Sequence, residues 1–305
     1  MKKSHLLSYI VMVFCLAGQV LEAEERRELS LQFSLGPEAK LLFTQRFIFP
    51  FLEGNNPLTE DNTIGFSLTA EVSPVSINGL AEAIWTPIAF FQFAAGGRIG
   101  SGWKIKLFGE DIYGIGINRA GDDGTSEYSG SAFDGLLWKT HIGAILQFNL
   151  AAIFPGDWNH VVARTYHEIN YAGYTAASSG ESWYFENDEG ENINGFNYYG
   201  NLFVGYQMPL ILDTIGLLAE AKFKLYDTPG RSQWGEDNIL WIFSILGNFT
   251  FTNTFSTAVL IQFHTERNYI ESNWEDLYYR NRTIDSSNPQ RLVFYRVALA
   301  ATYRF

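Results

Sequence analysis

A chain of 305 residues with 47% apolar and 16% aromatic side chains and 28 glycines is composed to fold rather than to stay disordered. Its net charge of −12 argues against nucleic acid and anionic surfaces as partners, and a single cysteine rules out a disulfide framework within the chain. Beyond the N-terminal segment no stretch reaches the ~18 consecutive apolar residues of a membrane helix. If this chain spans a bilayer, it must do so as a closed sheet.

The N-terminus runs Met1-Lys2-Lys3, then a mostly apolar stretch from Leu6 to Leu21, then Ala23 ahead of Glu24-Glu25. A basic start, a short greasy core and a small residue at the exit describe a secretory signal peptide, expected over 1–23 and cleaved after Ala23. Cys15 sits in mid-core behind Phe14, a poor context for a lipid anchor. Without this segment the chain, 24–305, keeps 19 basic and 32 acidic residues, a net of −13, and no cysteine.

From there period-two alternation dominates. ELSLQFSL puts Leu29, Leu31, Phe33 and Leu35 on one face, and NTIGFSLTAEVS does the same with Ile64, Phe66, Leu68, Ala70 and Val72. From Trp138 to Leu150 the apolar ribbon is continuous, with Lys139, His141, Gln147 and Asn149 opposite. The same alternation runs from Ile215 to Leu225 and from Phe255 to Phe263. Twelve strands are predicted, over 28–36, 40–50, 62–73, 76–86, 88–99, 136–153, 161–174, 197–208, 214–226, 238–251, 254–269 and 291–305. Proline cannot donate to a sheet ladder, and by this reading eight of the nine prolines, Pro87 among them, fall between strands, with Pro50 at a strand end.

In the C-terminal half short connections at 154–160, 209–213 and 252–253 alternate with long ones at 175–196, 227–237 and 270–290. Transmembrane barrels show this asymmetry between their two ends. The N-terminal half is less regular: 51–61 is long for a turn, and 100–135 has room for an extra hairpin at WKIKLFG and IYGIGIN. The count therefore lies between ten and fourteen strands. No composition break divides 24–305, which reads as one all-β domain, a transmembrane antiparallel up-and-down β-barrel.

The chain closes on RVALAATYRF, with Tyr295, Val297, Leu299, Ala301, Tyr303 and Phe305 on one side of an alternating strand. This ending resembles the C-terminal signal of bacterial outer-membrane β-barrel proteins. The resemblance implies location in the bacterial outer membrane, contact with outer-membrane lipid, recognition of the last strand by the barrel-assembly machinery, and closure of that strand against the first. TPIAFFQFAAGGRIGSGW followed by GIGIN is also similar to stretches of uncharacterised spirochaete outer-membrane proteins.

A cation facing mid-bilayer lipid costs about 2–4 kcal/mol, so charges inside strands are expected to face the lumen. These are Arg46, Glu71, Glu82, Arg98, Lys139, Arg164, Glu168, Glu220, Lys222, Lys224, Glu266 and Arg296, joined by His141 and His264. The loop ESWYFENDEGENIN gathers Glu181, Glu186, Asp188, Glu189 and Glu191 without a basic residue and is expected to be external. Aromatics near strand ends, among them Trp85, Trp158, Phe249 and Phe251, suit headgroup depth.

No phosphate-binding loop, dinucleotide fingerprint, His-Glu-x-x-His or cysteine metal pair is present, and neither metal nor cofactor is expected. The acidic loop lacks the ligand spacing and glycine pivot of a calcium site. TYHEINYAGY resembles the His-x-Ser-Asn-Gly stretch of outer-membrane phospholipases through His167 and Asn170, but Ile169 stands where the nucleophile belongs. Parity turns His167 outward, near the external rim. His264 and Glu266 share a face without a fixed geometry. The expectation is a non-enzymatic barrel, a narrow porin-like channel for small polar solutes. A nonconducting surface barrel with acidic loops is the alternative, and a hydrolase comes last.

Overall fold

A computed structural model describes residues 23–35, 38–107, 109–186 and 188–305; the signal segment and Cys15 lie outside the described residues, apart from Ala23. The wall begins with β1 (Glu24–Ser34), β2 (Glu38–Pro50), β3 (Thr63–Val72), β4 (Ser76–Ile88) and β5 (Phe91–Gly102). The following loop carries β6 (Lys104–Leu107), β7 (Glu110–Tyr113), β8 (Ile115–Ala120) and β9 (Ser126–Ser129). The wall resumes with β10 (Leu137–Asn149) and β11 (His160–Tyr174), and β12 (Ser182–Phe185) lies in the next loop. The rest comprises β13 (Gly195–Gln207), β14 (Leu212–Lys224), a one-turn helix α1 (Arg231–Trp234), β15 (Leu240–Thr250), β16 (Phe255–Arg267) and β17 (Gln290–Arg304).

Twelve of these strands close into an antiparallel barrel, each beside its neighbour in the chain, and β1 completes the circle against β17 from Glu28↔Arg304 to Ser34↔Ala298. Phe305 then donates its backbone N–H to the Arg27 carbonyl at 3.1 Å, which ties down the aromatic terminus. Alternation sorts the side chains of the wall. Leu31, Phe43, Leu68, Ile99, Ile142, Ile169, Leu217 and Ile245 stand exposed on the outside, an apolar exterior suited to hydrocarbon.

The predicted strands all occur, with shifted ends. Pro87 lies within β4, not between strands. The β4–β5 register slips there, between Trp85 and Ile88, and the slip removes the rung that proline cannot supply. The extra hairpin in 100–135 does form, as β6 paired with β7, but it stays outside the barrel wall. Most of IYGIGIN instead forms β8, the middle strand of a small sheet ordered β12-β8-β9.

The two ends of the barrel differ. One carries the connections 51–62, 89–90, 150–159, 208–211 and 251–254; the other carries the short connections from Ser34 to Glu38 and from Val72 to Ser76, and four long loops, 103–136, 175–194, 225–239 and 268–289. The long loops fold together into a cap. Its first core joins Ile115, Ile117 and Trp183 to Leu137 and Tyr174 at the strand ends, and its second joins Trp234, Tyr278 and Tyr279. Ser182 meets the hydroxyls of Tyr279 and Tyr278 at 2.7 and 2.9 Å, and Tyr278 N–H donates to the Gly124 carbonyl at 3.0 Å. These bonds lock the loops to one another.

Ile142 is 67% exposed on the outward face of β10. Ile142→Arg is expected to destabilise the barrel by about 2–4 kcal/mol if that face meets hydrocarbon, read as the urea midpoint of protein folded into lipid vesicles. An unchanged midpoint would show that the face is not in lipid.

Candidate functional site: the inner wall and its cap

Register places the inner-face residues in rows around the barrel. Arg46, Ser67, Glu82, Gly96, His141, Asn170, Asn197 and Lys224 form one row from β2 to β14. His141 Nε2 lies 3.3 Å from Glu82, and Lys139 reaches Glu168 at 2.7 Å. Tyr166 and Tyr199 donate to Glu168 and Glu220, each at 2.6 Å. Tyr166 lies against Gly143, where a Cβ would stand 2.6 Å from its ring, so only glycine leaves room for it. Arg296 pairs with Glu38 and donates to Gln262 at 2.7 Å. Glu266 pairs with Arg291 at 2.7 Å, and His264 stacks on Tyr295 with centroids 4.5 Å apart. Arg164 sits 6.0 Å over the Tyr166 ring. Arg46, Arg164 and Lys222 form no ion pair among the described residues.

Near the capped end the charges form two knots. In the first, an Arg98 amine donates to both Glu71 oxygens at 3.0 and 2.9 Å, Asn78 donates to Glu71 at 2.9 Å, and Lys40 stands 3.6 Å away. Lys40 also reaches Glu186 of the cap at 2.5 Å, and Ser76 donates to the other Glu186 oxygen at 2.6 Å. In the second knot, buried Glu191 takes Arg267 at 2.8 Å, Lys224 at 3.4 Å and Arg282 at 3.9 Å. Lys224 and Arg267 each lie about 5 Å from the Trp234 ring. Burial opposes charge on Glu191, but Arg267 and Lys224 outweigh it and hold the carboxyl well below the usual carboxylate range.

The acidic loop is therefore not a uniform solvated rim. Glu186 and Glu191 turn into the knots, Glu181 pairs with Arg119 at 2.6 Å, and Asp188 accepts from Gly190 and Asn192 at 2.9 and 2.6 Å. The Glu191 charge pushes the neighbouring Glu189 carboxyl up.

Sequence reading did not single out Glu38, Lys40, Gln262, Arg267 or Arg282. For Glu38 and Lys40 a signal existed, since both share the parity of Arg46 on β2. Arg282 carried none, because only the folding of loop 268–289 brings it to Glu191.

His167 faces outward, as parity requires, yet it is the eighth of fifteen residues in β11 and so lies mid-strand rather than at the rim. Its Nδ1 is 2.6 Å from the Tyr198 hydroxyl and its Nε2 is 3.0 Å from Thr165. His167 and Tyr198 border an outer groove of about 650 Å³ lined by Trp85, Phe93, Ile142 and Ala144. Both ring nitrogens find neighbours on the wall itself, which suits a face where hydrocarbon would offer none.

Cavities lie inside the wall. One of about 270 Å³ sits under the cap against β14–β16 beside Lys222 and His264. One of about 350 Å³ is bounded by Ser34, Glu38, Lys40, Glu71, Gln262 and Arg296. One of about 260 Å³ lies toward the uncapped end between Arg46, Glu82 and Gln92.

Removing the Glu191 carboxylate would leave Arg267 and Arg282 buried without an anion. Glu191→Ala is expected to destabilise the cap by about 3 kcal/mol, seen as faster hydrogen exchange in 225–239 and 268–289. Because the Glu191 carboxyl is held low, its contribution should be complete at neutral pH and disappear only as pH falls through that lowered value. A cap that loosens at mildly acidic pH would contradict this.

No protein-family model and no curated protein matches this chain. Among solved structures, the KdgM porin is 11% identical, covering 92% of this chain and 99% of its own, with a TM-score of 0.37. The β domain of the Bordetella autotransporter Brka is 10% identical over 93% and 100%, with a TM-score of 0.39. OmpT, an outer membrane protein of Vibrio cholerae, is 7% identical over 94% and 99%, at 0.35. Likeness this loose lends no weight to any functional reading.

Proposed function

We propose that this chain resides in a bacterial outer membrane as a narrow channel for small polar solutes. Residues 1–23 direct export, and the strand ending in Tyr303 and Phe305 is read by the assembly machinery. Around it the outward ribbon meets outer-membrane lipid. The observation that carries the channel reading is the inner wall, whose polar and charged rows border cavities of about 260 and 350 Å³. Arg46, Arg164 and Lys222, which lack acidic partners among the described residues, favour anions over cations in transit.

The alternative, a nonconducting surface barrel, draws support from the cap, whose own apolar cores and ion pairs close over one mouth. Recordings in planar bilayers separate the two. Small unitary steps are expected, with weaker anion preference in Arg46→Ala and Lys222→Ala. A folded, inserted chain that never conducts would overturn the channel in favour of the surface barrel.

A further inference from the structure

All four long loops arise between β5 and β17, while β1 to β4 are joined at the capped end only by the short connections from Ser34 to Glu38 and from Val72 to Ser76. The cap therefore grows from one side of the mouth and leans across to the other. At the far side it meets the wall through Trp103, which donates its backbone and indole N–H groups to the Val75 and Pro74 carbonyls, each at 2.8 Å, and through Glu186, just beyond β12, whose carboxylate joins Lys40 of β2 and Ser76 of β4. Among the described residues, Lys40–Glu186 is the single ion pair between the cap and β1–β4. By contrast the opposite side is anchored by Glu191 with its three cations and by the buried Trp234 and Tyr279.

Beside this contact lies the cavity of about 350 Å³. It runs from the capped ends of β1 and β2, at Ser34 and Glu38, down to Gln262 and Arg296 near the middle of β16 and β17. Its polar lining, Glu38–Arg296 and Lys40–Glu71, can exchange protein partners for a passing solute or water. Glu186 is also one of three non-glycine residues at positive φ among the described residues, at 54°, and donates its backbone N–H to the Gly114 carbonyl at 2.6 Å. A left-handed glutamate costs energy that local contacts must offset, and the backbone bond to Gly114 helps to hold it there.

We infer that solutes enter off-centre, through a portal between the cap and the β1–β2–β17 wall, and that Glu186 is its latch, bound to Lys40 and Ser76 when the portal is shut. This rests on the channel reading and adds where the path lies and what holds it closed.

The mature chain lacks cysteine, so Ala298→Cys places a single thiol on the portal lining. Cells displaying this variant are treated with a membrane-impermeant, charged methanethiosulfonate, with and without Glu186→Gln. Losing one charge-assisted hydrogen bond should speed labelling about tenfold. Lys40→Met breaks the same pair from the wall side and should do the same, which guards against a fault peculiar to one variant. Equal rates with and without the latch, or a thiol never reached from outside, would overturn the portal even in a conducting protein. Latch-dependent labelling in a protein that never conducts would sink the channel and leave the portal as an access route to the cavity.

Discussion

Every backbone N–H and C=O in a hydrocarbon-wetted sheet must find its partner within the sheet, because an orphan costs several kcal/mol there. The pairing of β1 with β17 removes the last two edges and thereby makes the rest possible. Once the sheet is closed, strict alternation has only one consistent meaning: one parity faces out and the other faces in. The apolar parity of Leu31, Ile142 and Leu217 becomes the outer wall, and the charges have only the interior left.

Confinement changes what those charges do. In water a pair such as Lys139–Glu168 would contribute little; inside the barrel a charge that lacks a counter-ion is costly, so most wall charges resolve into short-range pairs and hydrogen-bonded tyrosines, while Arg46, Arg164 and Lys222 keep no acidic partner among the described residues. The same economy governs the cap. Glu191 is tolerable as a buried anion because Arg267, Lys224 and Arg282 surround it, and the two arginines are tolerable because of Glu191. The cap thus has two kinds of attachment, a dense charged one on the β14–β16 side and, on the β2–β4 side, the Glu186 carboxylate with two hydrogen bonds from Trp103, and its asymmetry follows from where the long loops leave the wall.

Much of the wall was legible in advance. Twelve alternating stretches, proline punctuation and an aromatic terminus predict a closed twelve-stranded barrel, and the strands lie where the alternation says. The departures have local causes. Pro87 enters β4 because a register slip beside it spares the missing N–H. WKIKLFG has strand periodicity but pairs with its neighbour over the mouth, since β5 and β10 already satisfy each other and leave no edge to join. His167 was assigned the correct face but the wrong height, because parity reports direction and says nothing about depth.

By itself the sequence determined the class of structure and the strand order, because these depend on period two and on neighbours in the chain. The face of a wall residue follows only where no bulge interrupts the alternation, and the bulge in β17 turns Tyr295 inward onto His264, away from the side of Val297 and Leu299 where alternation alone put it. Only the tertiary structure decided which charges meet: Lys40 with Glu186 across 146 positions, Glu191 with Arg267 across 76, and Glu38 with Arg296 across 258. Those pairings depend on barrel closure and on four loops folding against one another. Neither leaves a periodic trace in the chain, since a loop satisfies its polar groups through contacts remote in sequence and not through any repeating pattern of its own.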